Sequence, residues 1–186
     1  MEMKDLIQNG LDSAKRVLDR TLNGLTAAEL NWQPRPDANS IGLILFHVIR
    51  VEDSIIHRIQ DKPQMWESEK WYQKFNKAIT DGGAHYTSEQ ISAFVVPDLK
   101  DLLTYAASVR KNTLEYLNQL NPKDFDRKVN LPPPPASMVM PVGSPALPRP
   151  PLNPVVGSEL MHLVTELSAH AGEISYLRGL QRGLDK

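Results

Sequence analysis

The sequence predicts an all-α chain: a four-helix bundle with a long Pro-rich insertion before its last helix. Three observations predict it. Four segments of ~20 residues carry apolar side chains three or four positions apart, the period of a helix with one buried face. Residues that cap helix N-termini stand ahead of several of these segments. Most of the 15 prolines are kept out of them and gathered into a single stretch.

The first long helix is expected over Met3–Leu22, with Leu6, Leu11, Ala14, Val17, Leu18 and Leu22 as its apolar stripe. Leu25–Leu30 reads as a capped turn, Thr26 being the N-cap and Glu29 the acceptor three residues on. The segment 31–39, with two prolines, is a loop. The second long helix starts at Asn39 or Ser40 and runs to about Gln60, burying Ile41, Ile44, Leu45, Val48, Val51, Ile55, Ile56 and Ile59. Periodicity is poor from Asp61 to Pro97. Short helices are expected near Glu67–Asn76 and Ser88–Phe94, separated by the turn signal Asp81-Gly82-Gly83. The third long helix spans Asp98–Leu120 on Leu99, Leu102, Leu103, Ala106, Val109, Leu114 and Leu117. Leu131–Pro154 holds most of the prolines, so it forms neither helix nor central strand. It reads as a connecting loop, or as an arm in which Ala136–Val142 pairs with residues 126–129. The fourth long helix spans Gly157–Gly179, with Ser158 as N-cap and Gly179 as its stop. The 186 residues suit one domain, 1–186.

Composition narrows the function. Lys and Arg number 21 and Asp and Glu 22, so no basic field exists to hold a phosphate backbone, and a nucleic-acid partner is not expected. The longest apolar run, Leu43-Ile44-Leu45-Phe46, is too short to span a bilayer. The charged start lacks the apolar core of a signal peptide, so a cytoplasmic protein is expected. With no Cys, disulfides, thiolate metal sites and Cys nucleophiles are excluded.

The chemistry-bearing residues fall on two helices. On the fourth, His170 lies within the stripe made by Leu163, Leu167, Ile174 and Leu177, and Glu166 lies at its edge. Four apart, the two point the same way from adjacent turns. A carboxylate and an imidazole facing a core need a partner, and a metal ion supplies one economically. His47, on the flank of the second helix's stripe, offers a third ligand. Two imidazoles and a carboxylate match catalytic zinc and non-haem iron sites and leave positions open for substrate. Taken singly each residue has a plainer reading: His170 as a core histidine, Glu166 as its ion-pair partner, His47 as a boundary histidine. His162, one turn before Glu166, reads as a surface histidine or as a neighbour of the site. Glu52 reads as buried and paired with Arg50 or an arginine of the first helix. His57 is expected at the surface, and His85 in a loop within reach of a pocket mouth. Trp66, Trp71, Tyr72 and Phe75 read as core packing or as the roof of a pocket.

Residues 40–53 (SIGLILFHVIRVED), the pattern His162-x-x-x-Glu166-x-x-x-His170-Ala171-Gly172-Glu173-Ile174 and the Trp32-x-Pro34-x-Pro36 segment together resemble the DinB/YfiT-like superfamily of bacterial four-helix-bundle metalloenzymes. The resemblance implies a DinB-like bundle with one divalent ion, zinc or nickel, on His47, Glu166 and His170. Many members carry His at the position of Glu166. A Glu there resembles the branch containing mycothiol-dependent maleylpyruvate isomerase, which implies that a low-molecular-weight thiol is a candidate cofactor. The expected activity is thiol-dependent transfer or isomerisation, or hydrolysis, of a small molecule. The Pro-rich segment departs from the family pattern. A homodimer is also expected, from exposed helix faces and the apolar arm. The competing reading is a non-catalytic metal-binding or interaction bundle that dimerises through that arm.

Overall fold

A computed structural model describes residues 2–130 and 154–182. Among them the regular structure is helical: α1 (Met3–Leu22), α2 (Ala27–Asn31), α3 (Ile41–Gln60), α4 (Met65–Ser68), α5 (Trp71–Lys74), α6 (Ser88–Ser92), α7 (Leu99–Gln119) and α8 (Val156–Arg182), with a 3-10 turn over Pro122–Asp126. The four long helices form the expected bundle. Helix α8 packs along α1 and α3, α3 also packs on α7, and α1 and α7 meet only sparingly.

The caps stand where the side-chain chemistry puts them. Ser40 accepts the Leu43 N–H at 3.1 Å, and Asp98 accepts the Lys100 N–H at 2.8 Å. Thr26 with Glu29 and Thr87 with Gln90 form reciprocal capping boxes on α2 and α6. Helix α3 is the central element, buried on nearly every side, and it closes at Asp61 in the left-handed region. The aromatics after it are core: Trp66, Trp71 and Phe75 surround Tyr105 of α7, with ring centroids 5.0–6.0 Å apart. Phe75 also lines a cavity of about 350 Å³ beside Tyr86 and Phe94.

Several expectations need correction. On α1, Ile7 is buried and Leu6 is exposed. On α7, Tyr105 and Thr113 occupy the buried stripe, whereas Leu103 is exposed. Their hydroxyls are satisfied by α3: Tyr105 donates to Asp53 at 2.5 Å and Thr113 to Glu52 at 2.7 Å. Glu52 is indeed buried, but its partner is Arg110 of α7, bound through Nε and a second guanidinium nitrogen at 2.7 and 2.8 Å. His57 is buried rather than exposed, with Nδ1 2.7 Å from the Asp53 carboxylate. One short helix was expected near 67–76, and two stand there.

Helix α8 begins earlier and ends later than expected. Its start is fixed by an antiparallel bridge between Lys128 and Val155, in which Val129 N–H donates to Pro154 and Val156 N–H to Arg127. Ser158 lies inside the first turn and bonds back to Val155. The expected partner of residues 126–129, Ala136–Val142, lies outside the described residues. Gly179 does not stop the helix. An interior glycine costs roughly 1 kcal/mol, and the last turn offsets it by clamping the α1–α2 corner. There Arg182 pairs with Glu29 at 2.6 Å, and Arg178 donates to the Asn23 carbonyl at 2.7 Å.

Candidate metal centre

The buried stripe of α8 runs through Leu160, Leu163, Leu167, Ala171, Ile174 and Leu177. Glu166 and His170 stand along one margin of it, facing α3. The His170 side chain is 22 % exposed and that of Glu166 33 %. His47, on the flank of α3, faces the same margin with 21 % of its side chain exposed.

The three side chains come together. Glu166 Oε2 lies 3.3 Å from His170 Nε2 and 3.8 Å from His47 Nε2, and one ligand atom from each residue falls within 4.8 Å of the others. The two imidazoles meet edge to face, with ring centroids 4.8 Å apart.

The outer nitrogens decide what the inner ones can do. His47 Nδ1–H donates to the Gly83 carbonyl at 3.0 Å, and His170 Nδ1–H donates to Glu173 Oε2 at 2.6 Å. With Nδ1 as the donor on both rings, Nε2 is the nitrogen that faces Glu166 and, in a neutral imidazole, the one that carries the lone pair. Burial, then the neighbouring His170, holds the His47 pKa below its ordinary value, which favours that neutral form. His162 contacts Glu166 Oε1 at 3.3 Å and leaves Oε2 turned toward the two imidazoles.

This donor set fits a divalent cation. Two ligands each ~2.1 Å from an ion at a tetrahedral angle stand ~3.4 Å apart, close to both carboxylate–imidazole separations. The rings are oriented as outer hydrogen bonds orient metal-binding histidines.

A cavity of about 310 Å³ opens beside His47 and His170. Its walls include Asn39, Leu43, Ile44, Ile91, Tyr86 and His85. His85 thus reaches the pocket, on a backbone with φ of 61°. His162 is solvent-exposed but touches the site, and His57 belongs to the separate buried pair with Asp53.

Sequence reasoning did not single out the two groups that orient the imidazoles. Glu173 was findable, since three residues after His170 it shares that helix face. The Gly83 carbonyl is a backbone atom of a loop distant in sequence, and only the Asp-Gly-Gly turn signal hints at it.

The profile of the DinB superfamily matches residues 11–174, which takes in α3 and α7 whole, most of α1 and α8, and all three clustered residues. The chain belongs to the DinB superfamily. As a DinB-superfamily bundle it has a solved counterpart in a conserved protein from Enterococcus faecalis, 23 % identical, with a TM-score of 0.75 over 97 % of each chain. At that identity the likeness speaks for the fold alone. Comparison with curated proteins gives no match.

Proposed function

We propose that this DinB-superfamily chain is a divalent-metal-dependent enzyme acting on a small molecule, with zinc or nickel held by His47, Glu166 and His170. One observation carries the reading: both imidazoles commit Nδ1–H to outer acceptors, so two Nε2 lone pairs and one carboxylate oxygen converge at the wall of a cavity. A bound ion would supply Lewis acidity and lower the pKa of a water or thiol in its open position.

The surrounding residues define what enters. Two neutral imidazoles and one carboxylate leave a divalent site with a net charge of about +1, which favours an anion. Leu43, Ile44 and Ile91 line the pocket with apolar surface and suit a small organic group. The chain has no Cys, so a thiol reaching the site comes from a low-molecular-weight cofactor. The reaction class is thiol-dependent transfer or isomerisation, or hydrolysis. A cytoplasmic setting, where small thiols stay reduced, belongs to the same proposal. None of the described helices is long and apolar enough to cross a membrane.

The test is metal content after purification without a His tag. The parent protein should carry about one divalent ion, and His47→Ala and His170→Ala should be empty. Glu166→Gln should bind weakly, and His85→Ala should stay loaded. Full occupancy in both His→Ala proteins would overturn the ligand assignment. Screening thiols and electrophiles with the loaded protein then addresses the reaction.

A further inference from the structure

We infer that Arg50, Asp81 and Gly83 are positioning residues of the proposed metal centre, setting from outside it which nitrogen of His47 faces the ion. The inference rests on the metal reading and adds to it the device that orients His47.

The Gly83 carbonyl accepts from His47 Nδ1 and belongs to a non-helical loop, so something must hold that loop in place. Four hydrogen bonds do so. Gly83 N–H and the Tyr86 hydroxyl both donate to Asp81 Oδ1, at 2.9 and 2.5 Å, which folds the turn around one carboxylate oxygen. Arg50 Nε donates to the Asp81 carbonyl at 3.2 Å. A few residues upstream, the Trp66 indole N–H donates to the Ile79 carbonyl at 2.9 Å.

Arg50 is itself rigid. It is 4 % exposed, stacks over the Trp66 ring at 4.3 Å and bonds Asp53 Oδ2 and the Tyr105 hydroxyl at 3.1 and 3.0 Å. Asp53, fully buried, also receives the Met65 and Trp66 amides. A buried arginine with this many partners cannot swing without stranding a charge. It stands three residues after His47 on α3, so helix and loop are locked together beside the ligand.

Gly83 is where they touch. Its φ is +75°, and a Cβ there would stand 3.2 Å from Arg50 Cβ and 3.3 Å from His47 Cα. Any side chain would strain the backbone and lift the carbonyl away from the imidazole. A free imidazole prefers its proton on Nε2, the nitrogen needed as ligand. The fixed carbonyl reverses that preference before any ion arrives.

The experiment is nitrogen-15 NMR of the metal-free protein at alkaline pH, which reads the His47 tautomer directly, paired with calorimetric titration of Zn²⁺. The parent should show His47 protonated at Nδ1. Gly83→Ala should populate the Nε2–H form and weaken Zn²⁺ about 10–100-fold, the usual effect of losing an orienting partner, with His170 unchanged. Tyr86→Phe, which removes only the clamp on Asp81, should shift both readouts in the same direction by less, and it decides the matter if Gly83→Ala fails to fold. A His47 tautomer unchanged in the folded variants would overturn the inference. A parent that binds no ion but shows the tautomer shift would overturn the metal reading and leave the positioning device standing.

Discussion

Glu173 holds His170 from behind as the Gly83 carbonyl holds His47, but it does so with a formal charge. A carboxylate on Nδ1–H raises the donor strength of Nε2 and fixes the ring. Replacing Glu173 by Gln should therefore weaken Zn²⁺ binding about 10–100-fold in calorimetric titration, with no loss of helicity. His47 differs in having no charged partner on Nδ1 and in being desolvated, so in the metal-free protein its NMR titration midpoint should fall below 6.5. Across the bundle, Glu52 and Arg110 form a buried bidentate pair that Thr113 completes. Removing one partner strands the other, so Arg110→Ala should cost about 3–5 kcal/mol in urea denaturation.

Helix α3 concentrates polar work in a helix that packs on nearly all sides. Asp53 receives the first amides of α4 as well as His57 and Tyr105, so one carboxylate ties three segments together. Burial pushes that carboxyl up, but hydrogen bonds from His57, Tyr105 and the Trp66 amide bring it below its ordinary 3.8. Its stabilisation is complete above 3.8 and is lost as pH falls. His57 is opposed by burial but raised above 6.5 by the same carboxylate. Its share is complete below 6.5 and is lost as pH rises through the raised value. The melting temperature should peak between these limits, and His57→Gln should flatten the alkaline side. None of this was legible in the sequence, because His57 and Asp53 look like surface charges on an amphipathic helix until α7 and the α4–α5 segment cover them. The helices themselves were legible: Ser40, Asp98, Thr26 and Thr87 cap where local chemistry says they should. The end of α8 was not, since a long-range clamp through Glu29 and Asn23 outweighs the local signal of Gly179. The site was half legible. Spacing and family pattern found the three clustered residues, but the margin they occupy depends on how α8 is rotated against α3, which no single helix encodes.

Viewed as an assembly, the bundle leaves apolar side chains in solvent along α8, among them Met161, Tyr176 and Leu180, and Leu6 and Met3 on α1. We propose that such surface is covered in a homodimer. Light scattering at micromolar concentration should return twice the chain mass, and a monomer throughout would refute it. The backbone bridge at Lys128 and Val155 has a different consequence. It ties Arg127–Val129 to Pro154–Val156, so the start of α8 is held in place by the residues of the bridge themselves. A short turn in place of residues 131–153 should therefore leave α8 in register with α7, which circular dichroism and thermal melting of the shortened protein would check. In such a chain, whatever residues 131–153 contribute to substrate choice could diverge among relatives while the ligand-bearing helices stay in place.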